Sequence, residues 1–296
     1  MSTPPRSDGN SERARAAGPA VRAMTQRLEL GVTGVRVSPV CLGMVAEPEI
    51  VSAAYQAGIN FFFLSADMHW PVYEPVRRGL RQLLRAAPSA RSALVVAVVS
   101  YVTQPEFCWA PFEEVLEAVP ELGHVDVAVI GGSYPTDFLV RHEQYRLKRP
   151  GRMRALGASF HHRRSAVSAV NQGLVDLAFV RYNSAHIGAE ADVFPSIRDD
   201  RSAKLFNFKS TGGHVAPERL AELGLPEHNW RPTHPDHYRF ALRMPQLDGI
   251  LCAFNEVEQI AALDRALSEP PLSEAEASYL KHLSALNAGT IVLEST

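Results

Sequence analysis

The chain is short of cysteine, of long apolar runs and of net charge, and each shortage removes a class of protein. Its three cysteines, Cys41, Cys108 and Cys252, are odd in number and widely spaced, with no C-x-x-C pair. That excludes a disulfide framework and points to a reduced, cytoplasmic protein. Cys41 and Cys252 lie in apolar, strand-like runs, where small buried thiols are common. No apolar run approaches the roughly 18 residues of a membrane helix, so no membrane partner is expected. A net charge of −2 leaves no basic face for nucleic acid. Nor do the histidines read as a metal site. His161 and His162 are adjacent and point opposite ways on an extended segment. His228, His234 and His237 lack tight ligand spacing and a companion carboxylate pattern. Asp236, ahead of an apolar run, reads as a helix N-cap.

What is present is an ordinary globular composition in a chain long enough to bury a sizeable core. Residues 1–26 are rich in Pro, Ser, Gly and Arg and have no apolar centre. They read as a disordered tail rather than a secretory signal. The Arg content leaves a transit peptide open, with Asp8 and Glu12 against it. Residues 27–296 read as one domain. Short apolar runs at 40–44, 59–64, 94–100, 125–130, 153–159, 177–183, 204–210 and 249–254 are nearly continuous, as strands buried on both faces should be. Helical patterns at 49–57, 74–84, 112–119, 163–171 and 257–267 fall between them. Eight strands alternating with helices indicate a (β/α)8 TIM barrel. Ahead of it, Arg27 to Glu29 and Val35 to Val37 straddle a Gly-Val-Thr-Gly turn and predict a hairpin that plugs the barrel bottom. The stretch 211–236, with Gly212-Gly213, several prolines and Trp230, reads as an extended loop after the seventh strand.

Three segments carry a family resemblance: RLELGVTGVRVSPVCLGM from Arg27, GRMRALGAS from Gly151, and YRFALRMPQLDGILCAFNEVEQIAALDRALSEPPLSEAEASYL from Tyr238. In order and spacing the chain resembles the aldo-keto reductases from about residue 27 to 286. The family reduces carbonyls with NADPH, using an Asp, a Tyr acid, a Lys that lowers the Tyr pKa, and a His. The resemblance places the Asp on Phe63 or Leu64 and the Tyr on Met68 or His69. It places the Lys on Val99 and the His on Gly131. An aliphatic chain and a glycine supply neither proton nor charge to a developing alkoxide, so the standard tetrad is read as lost. RYNSAHIGAE from Arg181 and GASFHH from Gly157 resemble a divergent bacterial subgroup with the same deficit.

On the cofactor side the resemblance implies that Ser159 is retained, while Phe160 and Phe179 replace the family's Asn and Gln that hold the nicotinamide amide. Phe208 keeps an aromatic where the family stacks a Tyr. The segment after the last strand, Ala253-Phe254-Asn255-Glu256-Val257-Glu258, is acidic where the family is basic, which repels a phosphate. NADP binding stays open but disfavoured, since backbone amides at a helix N-terminus can still take an anion.

In this fold the working end is the C-terminal end of the strands. The polar residues there are Asp67, His69, Tyr101, Tyr134, His161, Arg181, Asn183, His186 and Lys209. Phe179, Arg181 and Asn183 are spaced two apart and share one strand face. An inward Arg needs an anionic partner: either a ligand carboxylate or phosphate, or an internal Asp126, Asp176 or Glu190. Lys209 reads as a candidate acid or amine nucleophile if desolvated, or as a surface lysine. The expected site therefore has His69, Lys209 and Tyr101 as acid/base groups. Arg181, Asn183, Ser159, Phe208, His161, Asp67 and Tyr134 are its expected ligand-binding residues.

Three functions follow. The first is a repurposed barrel that binds or transforms a small organic, anionic or carbonyl-bearing molecule without hydride transfer. The second is a divergent NADP(H)-dependent oxidoreductase with His69 as acid. The third, weaker, is a non-catalytic regulatory or partner-binding protein.

Overall fold

The structure is a computed structural model, and it describes residues 23–65, 67, 69–133, 137–148 and 151–290. Tail residues 1–22, together with Met68 and Tyr134, lie outside the described residues. A two-stranded antiparallel hairpin, β1 (Leu28–Glu29) and β2 (Arg36–Val37), precedes eight parallel strands. These are β3 (Val40–Val45), β4 (Phe61–Ser65), β5 (Val95–Ser100), β6 (Val127–Ser133), β7 (Ala155–Phe160), β8 (Leu177–Arg181), β9 (Lys204–Phe208) and β10 (Gly249–Phe254). They close in sequence order, with β10 against β3. Helices α1 (Glu49–Gln56), α2 (Glu74–Ala86), α3 (Ala110–Ala118), α4 (Phe138–Lys148), α5 (Arg163–Asn171), α6 (Ala189–Asp192), α7 (Pro217–Glu222), α8 (His234–Leu242), α9 (Glu258–Leu267) and α10 (Glu274–Asn287) follow in order. The expected (β/α)8 barrel with an N-terminal hairpin is the fold found.

The strand alternation sorts the core into two clusters. Cys41, Phe61, Phe63, Val95, Ala97, Val99, Val127, Val129, Phe179 and Phe206 point into the barrel. Their neighbours Leu42, Phe62, Leu64, Val96, Val98, Ala128 and Ile130 point out to the helices. Leu28, Leu30, Val35 and Val37 of the hairpin segment join the inner cluster, so the hairpin closes the N-terminal end as the sequence suggests.

At that end one device recurs. The residue before a strand accepts a backbone N–H from the neighbouring strand or from the residue leading into it. Asn60 accepts from Ser38 at 2.7 Å, Asp126 from Val96 at 2.9 Å, Asp176 from Leu156 at 2.9 Å and Asp248 from Leu205 at 2.8 Å. Each such bond fixes strand register and satisfies a buried donor. Arg91 and Arg154 neutralise Asp126, both at 3.0 Å, and Arg201 neutralises Asp248 at 2.8 Å.

Two expectations are corrected. Residues 211–236 are not one extended loop, because they contain α7 and lead into α8. Pro217 opens α7 at a position where its missing N–H is harmless, and Leu220 is buried with Val215 and Leu283. Trp230 does anchor the stretch, stacking on Tyr279 with ring centroids 5.9 Å apart. Asp236 is not the N-cap of α8. Thr233 is, and Asp236 is the third helical residue of a capping box, accepting the Thr233 N–H at 2.8 Å. Among the described residues no helix is long and apolar enough to cross a membrane.

Candidate functional site at the barrel mouth

Following the inward positions to the strand ends assembles the site. Beyond Phe63, β4 ends on buried Ser65, whose hydroxyl donates to Asp67 Oδ1 at 2.9 Å. The other carboxylate oxygen of Asp67 accepts the Tyr101 N–H at 2.6 Å. Asp67 thus ties the ends of β4 and β5 together and fixes Tyr101. The Tyr101 ring packs on the inner cluster and, 5.0 Å centroid to centroid, beside the exposed His69. Loss of solvent, then the Asp67 charge, pushes the Tyr101 phenol pKa up, so at neutral pH it is a hydrogen-bond donor.

Two residues on this side escaped the sequence reading. Tyr73 ends the short 3-10 turn Trp70–Tyr73 and packs its ring 6.1 Å from Phe63. Burial, then Tyr101 and Cys41, push its phenol far up. Its sequence signal was an aromatic four residues after His69, brought back by a Pro71 turn. Arg141 is the other. It is 1% exposed and donates to the Gly131 and Ser100 carbonyls, both at 2.8 Å. It caps the ends of β6 and β5 from outside the barrel. A charge on the apolar stripe Phe138, Arg141, Tyr145 was the clue.

Of the positions named by the family resemblance, those of the Asp, the Lys and the His are filled by packing; the Tyr position falls on exposed His69 or on Met68, which lies outside the described residues. Phe63 faces inward, with its ring 5.3 Å from that of Phe179, and Leu64 faces the helices. Val99 is fully buried in the inner cluster. Gly131 has no room for a side chain: a Cβ there would lie 2.6 Å from Val99 Cγ2 and 2.9 Å from Tyr101 Cδ1.

The opposite wall is cationic. Arg181 ends β8 and contacts the His186 ring through Nη2, while its Nε is buried without a partner. The internal ion pair weighed for it does not form. Asp126 is taken by Arg91 and Arg154. Glu190 is taken by Lys281 at 2.8 Å and by the Tyr182 hydroxyl at 2.6 Å. Asp176 holds the Leu156 N–H. Arg181 has no carboxylate within 4.0 Å among the described residues, and neither has the exposed Lys209 at the end of β9.

His161, at the end of β7, meets Phe208 edge to face at 6.1 Å. Loss of solvent, then the Lys209 and Arg181 charges, lower its pKa. His186 is lowered by loss of solvent, then by Arg181, Arg163 and Lys209. Both imidazoles are thereby held toward the neutral form; the His186 ring nitrogens already meet Arg181 and Asn183, so His161 is the one with ring nitrogens to offer a ligand.

Asn183 does not stand beside Arg181 as a strand neighbour. β8 ends at Arg181, and Asn183 is fully buried in a bridge with His186. Its amide donates to the Lys209 carbonyl at 2.7 Å, and its oxygen accepts the Ala185 N–H at 3.0 Å. An Asn turning to satisfy local backbone groups is a common end to a strand. Ser159 faces the mouth, and its hydroxyl accepts the Gly132 N–H at 3.2 Å. No group of three or more His, Cys, Asp or Glu among the described residues is arranged to hold a metal ion.

No protein-family model and no curated protein matches the chain. Solved structures do. The holo form of aldo-keto reductase AKR11C1 from Bacillus halodurans superposes with a TM-score of 0.65 at 17% identity, over 92% of this chain and 99% of that one. Its apo form gives 0.66 at 17% identity over the same shares. PA4992 of Pseudomonas aeruginosa, whose name places it in the same family, gives 0.63 at 16% identity over 84% and 97%. At such identities the likeness is one of architecture, and the chain carries the (β/α)8 barrel seen in aldo-keto reductases.

Proposed function

We propose that the barrel mouth binds a small organic anion and that standard aldo-keto reductase chemistry has been given up. The observation that carries this is Arg181. A partly exposed guanidinium at a strand end, with His186 against its Nη2 and no carboxylate beside it, is open to a ligand anion. Lys209 adds a second unpaired cation on the same wall, and Phe63, Phe179 and Phe208 form an aromatic floor and rim. A planar carboxylate fits the pair: the fork of Arg181 takes both oxygens, and the apolar body lies on the rings. Opposite the cations, the Tyr101 and Tyr73 hydroxyls and the His69 ring can donate hydrogen bonds to the far end of the ligand. That suits isomerisation, dehydration or binding alone.

Loss of the tetrad is part of this reading, supported by Phe63, Val99 and Gly131, none of which transfers a proton. The mouth also fits NADP(H) poorly. Gln259 Oε1 accepts the Asn255 and Glu256 N–H groups at 2.7 and 3.3 Å, engaging amides a phosphate would need. Phe160 and Phe179 offer nothing to a nicotinamide amide. The second reading, an oxidoreductase with His69 as acid, is favoured only by the half-buried aromatic face of Phe208. Three free cysteines support a reducing, cytoplasmic setting.

Calorimetric titration with benzoate, phenylpyruvate, inorganic phosphate and NADPH tests the proposal. A carboxylate should bind saturably, more weakly as salt rises. Arg181→Gln should weaken it ~10–100-fold, the worth of one charge-assisted hydrogen-bonded contact. Carboxylate affinity unchanged in Arg181→Gln overturns the clamp, and tight NADPH binding returns the oxidoreductase reading.

A further inference from the structure

We infer that Asn183 is a positioning residue that holds Lys209 in a left-handed backbone conformation, so that its amine stands at the barrel mouth beside Arg181; this rests on the anion-binding reading above. Lys209 has φ 57° and ψ 36°, and among the described residues it is the only non-glycine with positive φ. Lysine has no local means of offsetting that conformation, unlike Asn or Gly. Such strain persists where the surroundings over-determine it and is concentrated at functional sites.

The surroundings supply that constraint. The Lys209 carbonyl accepts from Asn183 Nδ2 at 2.7 Å and from the Gly212 N–H at 3.1 Å. The next residue, Ser210, is buried, and its hydroxyl accepts from Asn207 Nδ2 at 2.9 Å. Gly212 leaves space for the Asn183 amide: a Cβ there would lie 2.7 Å from Nδ2. Asn183 is in turn fixed by the Ala185 N–H and lies 3.2 Å from His186 Nδ1. One buried amide thus links the turn after β8, which carries His186, to the turn after β9, which carries Lys209. Arg181 pairs with Phe208 across β8 and β9, so Lys209 leaves its strand next to Arg181, and its charge is among the causes that lower the pKa of His161 and His186.

The test uses the full chain with Lys209→Gly, Lys209→Arg and Asn183→Ser. Lys209→Gly removes the strain and the charge together. Its Tm should rise by about 1–3 °C, the scale of a modest strain relief in a domain this size, while benzoate affinity falls about tenfold or more. Lys209→Arg should keep benzoate binding within about threefold. In Asn183→Ser the NMR titration midpoint of His161 should rise, although Lys209 is still present, because the amine is no longer held near it. A purely structural Asn183 would lower Tm and leave that midpoint unmoved.

A Lys209→Gly protein with Tm at or below wild type, or with full benzoate affinity, overturns the inference. So does an unmoved His161 midpoint in Asn183→Ser. If Asn183→Ser does not fold, the Lys209→Gly arm decides. If the wild-type protein binds no benzoate, the anion reading fails by itself, and the Tm and His161 arms still decide how Lys209 is held.

Discussion

Gly131 shows how one residue closes a route to chemistry. Its missing side chain is not a vacancy, because Val99, Tyr101 and the Ser100 carbonyl occupy the space a Cβ would enter. We therefore expect Gly131→Ala to cost about 1–3 kcal/mol by overpacking, measured as a shift in the urea midpoint with unchanged m-value. A stability equal to wild type would mean that the mouth is looser than these contacts. Installing the family's histidine there would meet the same wall. At this scale the sequence was a partial guide. It offered residues 63 and 64 as alternatives for one position, and only the inward turn of Phe63 separates them. It marked Arg181 and Lys209 because charged groups at strand ends stand out. It missed Tyr73, whose approach to Phe63 depends on a turn, and Arg141, which reaches carbonyls on two neighbouring strands besides the nearby Asp137. It put Asn183 on a strand face, because alternation cannot tell where a strand stops.

Elements were more legible, and the reason is physical. Strands buried on both faces must be apolar throughout, and helices that cover them must be apolar on one stripe. Those constraints are written in consecutive residues, and so α5 is found at the bounds its pattern gives. The residues 211–236 carry no such run. α7 is six residues long and is held by a single buried leucine, Leu220, which leaves no periodicity to read. The strand starts carry a shorter signal, an Asp or Asn just before the apolar run, whose purpose appears only when the neighbouring strand is in place. Asp248 is the strongest example. It is 12% exposed, paired with Arg201 at 9%, and accepts the Leu205 N–H. Asp248→Ala would strand a nearly buried guanidinium and an amide. A loss of about 3–5 kcal/mol in denaturant unfolding is expected, with Asp248→Asn losing less because it keeps an acceptor. Equal losses in the two variants would assign the effect to charge alone.

At the scale of the molecule, the segment after β9 and helix α8 meet through three clustered histidines. His214 follows the turn after β9, and His234 and His237 lie on α8. The His214 ring is 4.2 Å from that of His234 and 5.4 Å from that of His237, centroid to centroid. Loss of solvent lowers the pKa of all three, and close imidazoles add to it for His214 and His237. His237, 2% exposed and with an unpartnered Nδ1, is pushed down to about 4. An unfolded histidine titrates near 6.5. Between those values the unfolded chain binds more protons than the folded one, so stability rises with pH there. The contribution is complete above about 6.5, and it is lost as pH falls through the folded pKa values. Tm should therefore be flat from pH 8 to 7 and fall progressively toward pH 4.5. His237→Phe, which fills the site without a proton, should flatten that fall. The cluster packs α8 against the segment that continues from Lys209, so if charging it loosens that contact locally, acid should weaken anion binding. That runs opposite to the usual expectation that acid, by charging His161 and His186, tightens an anion site. Carboxylate affinity measured from pH 7.5 to 5 discriminates the two: affinity that peaks and then falls couples the His214, His234 and His237 cluster to the site, and affinity that rises throughout leaves the two histidine groups uncoupled.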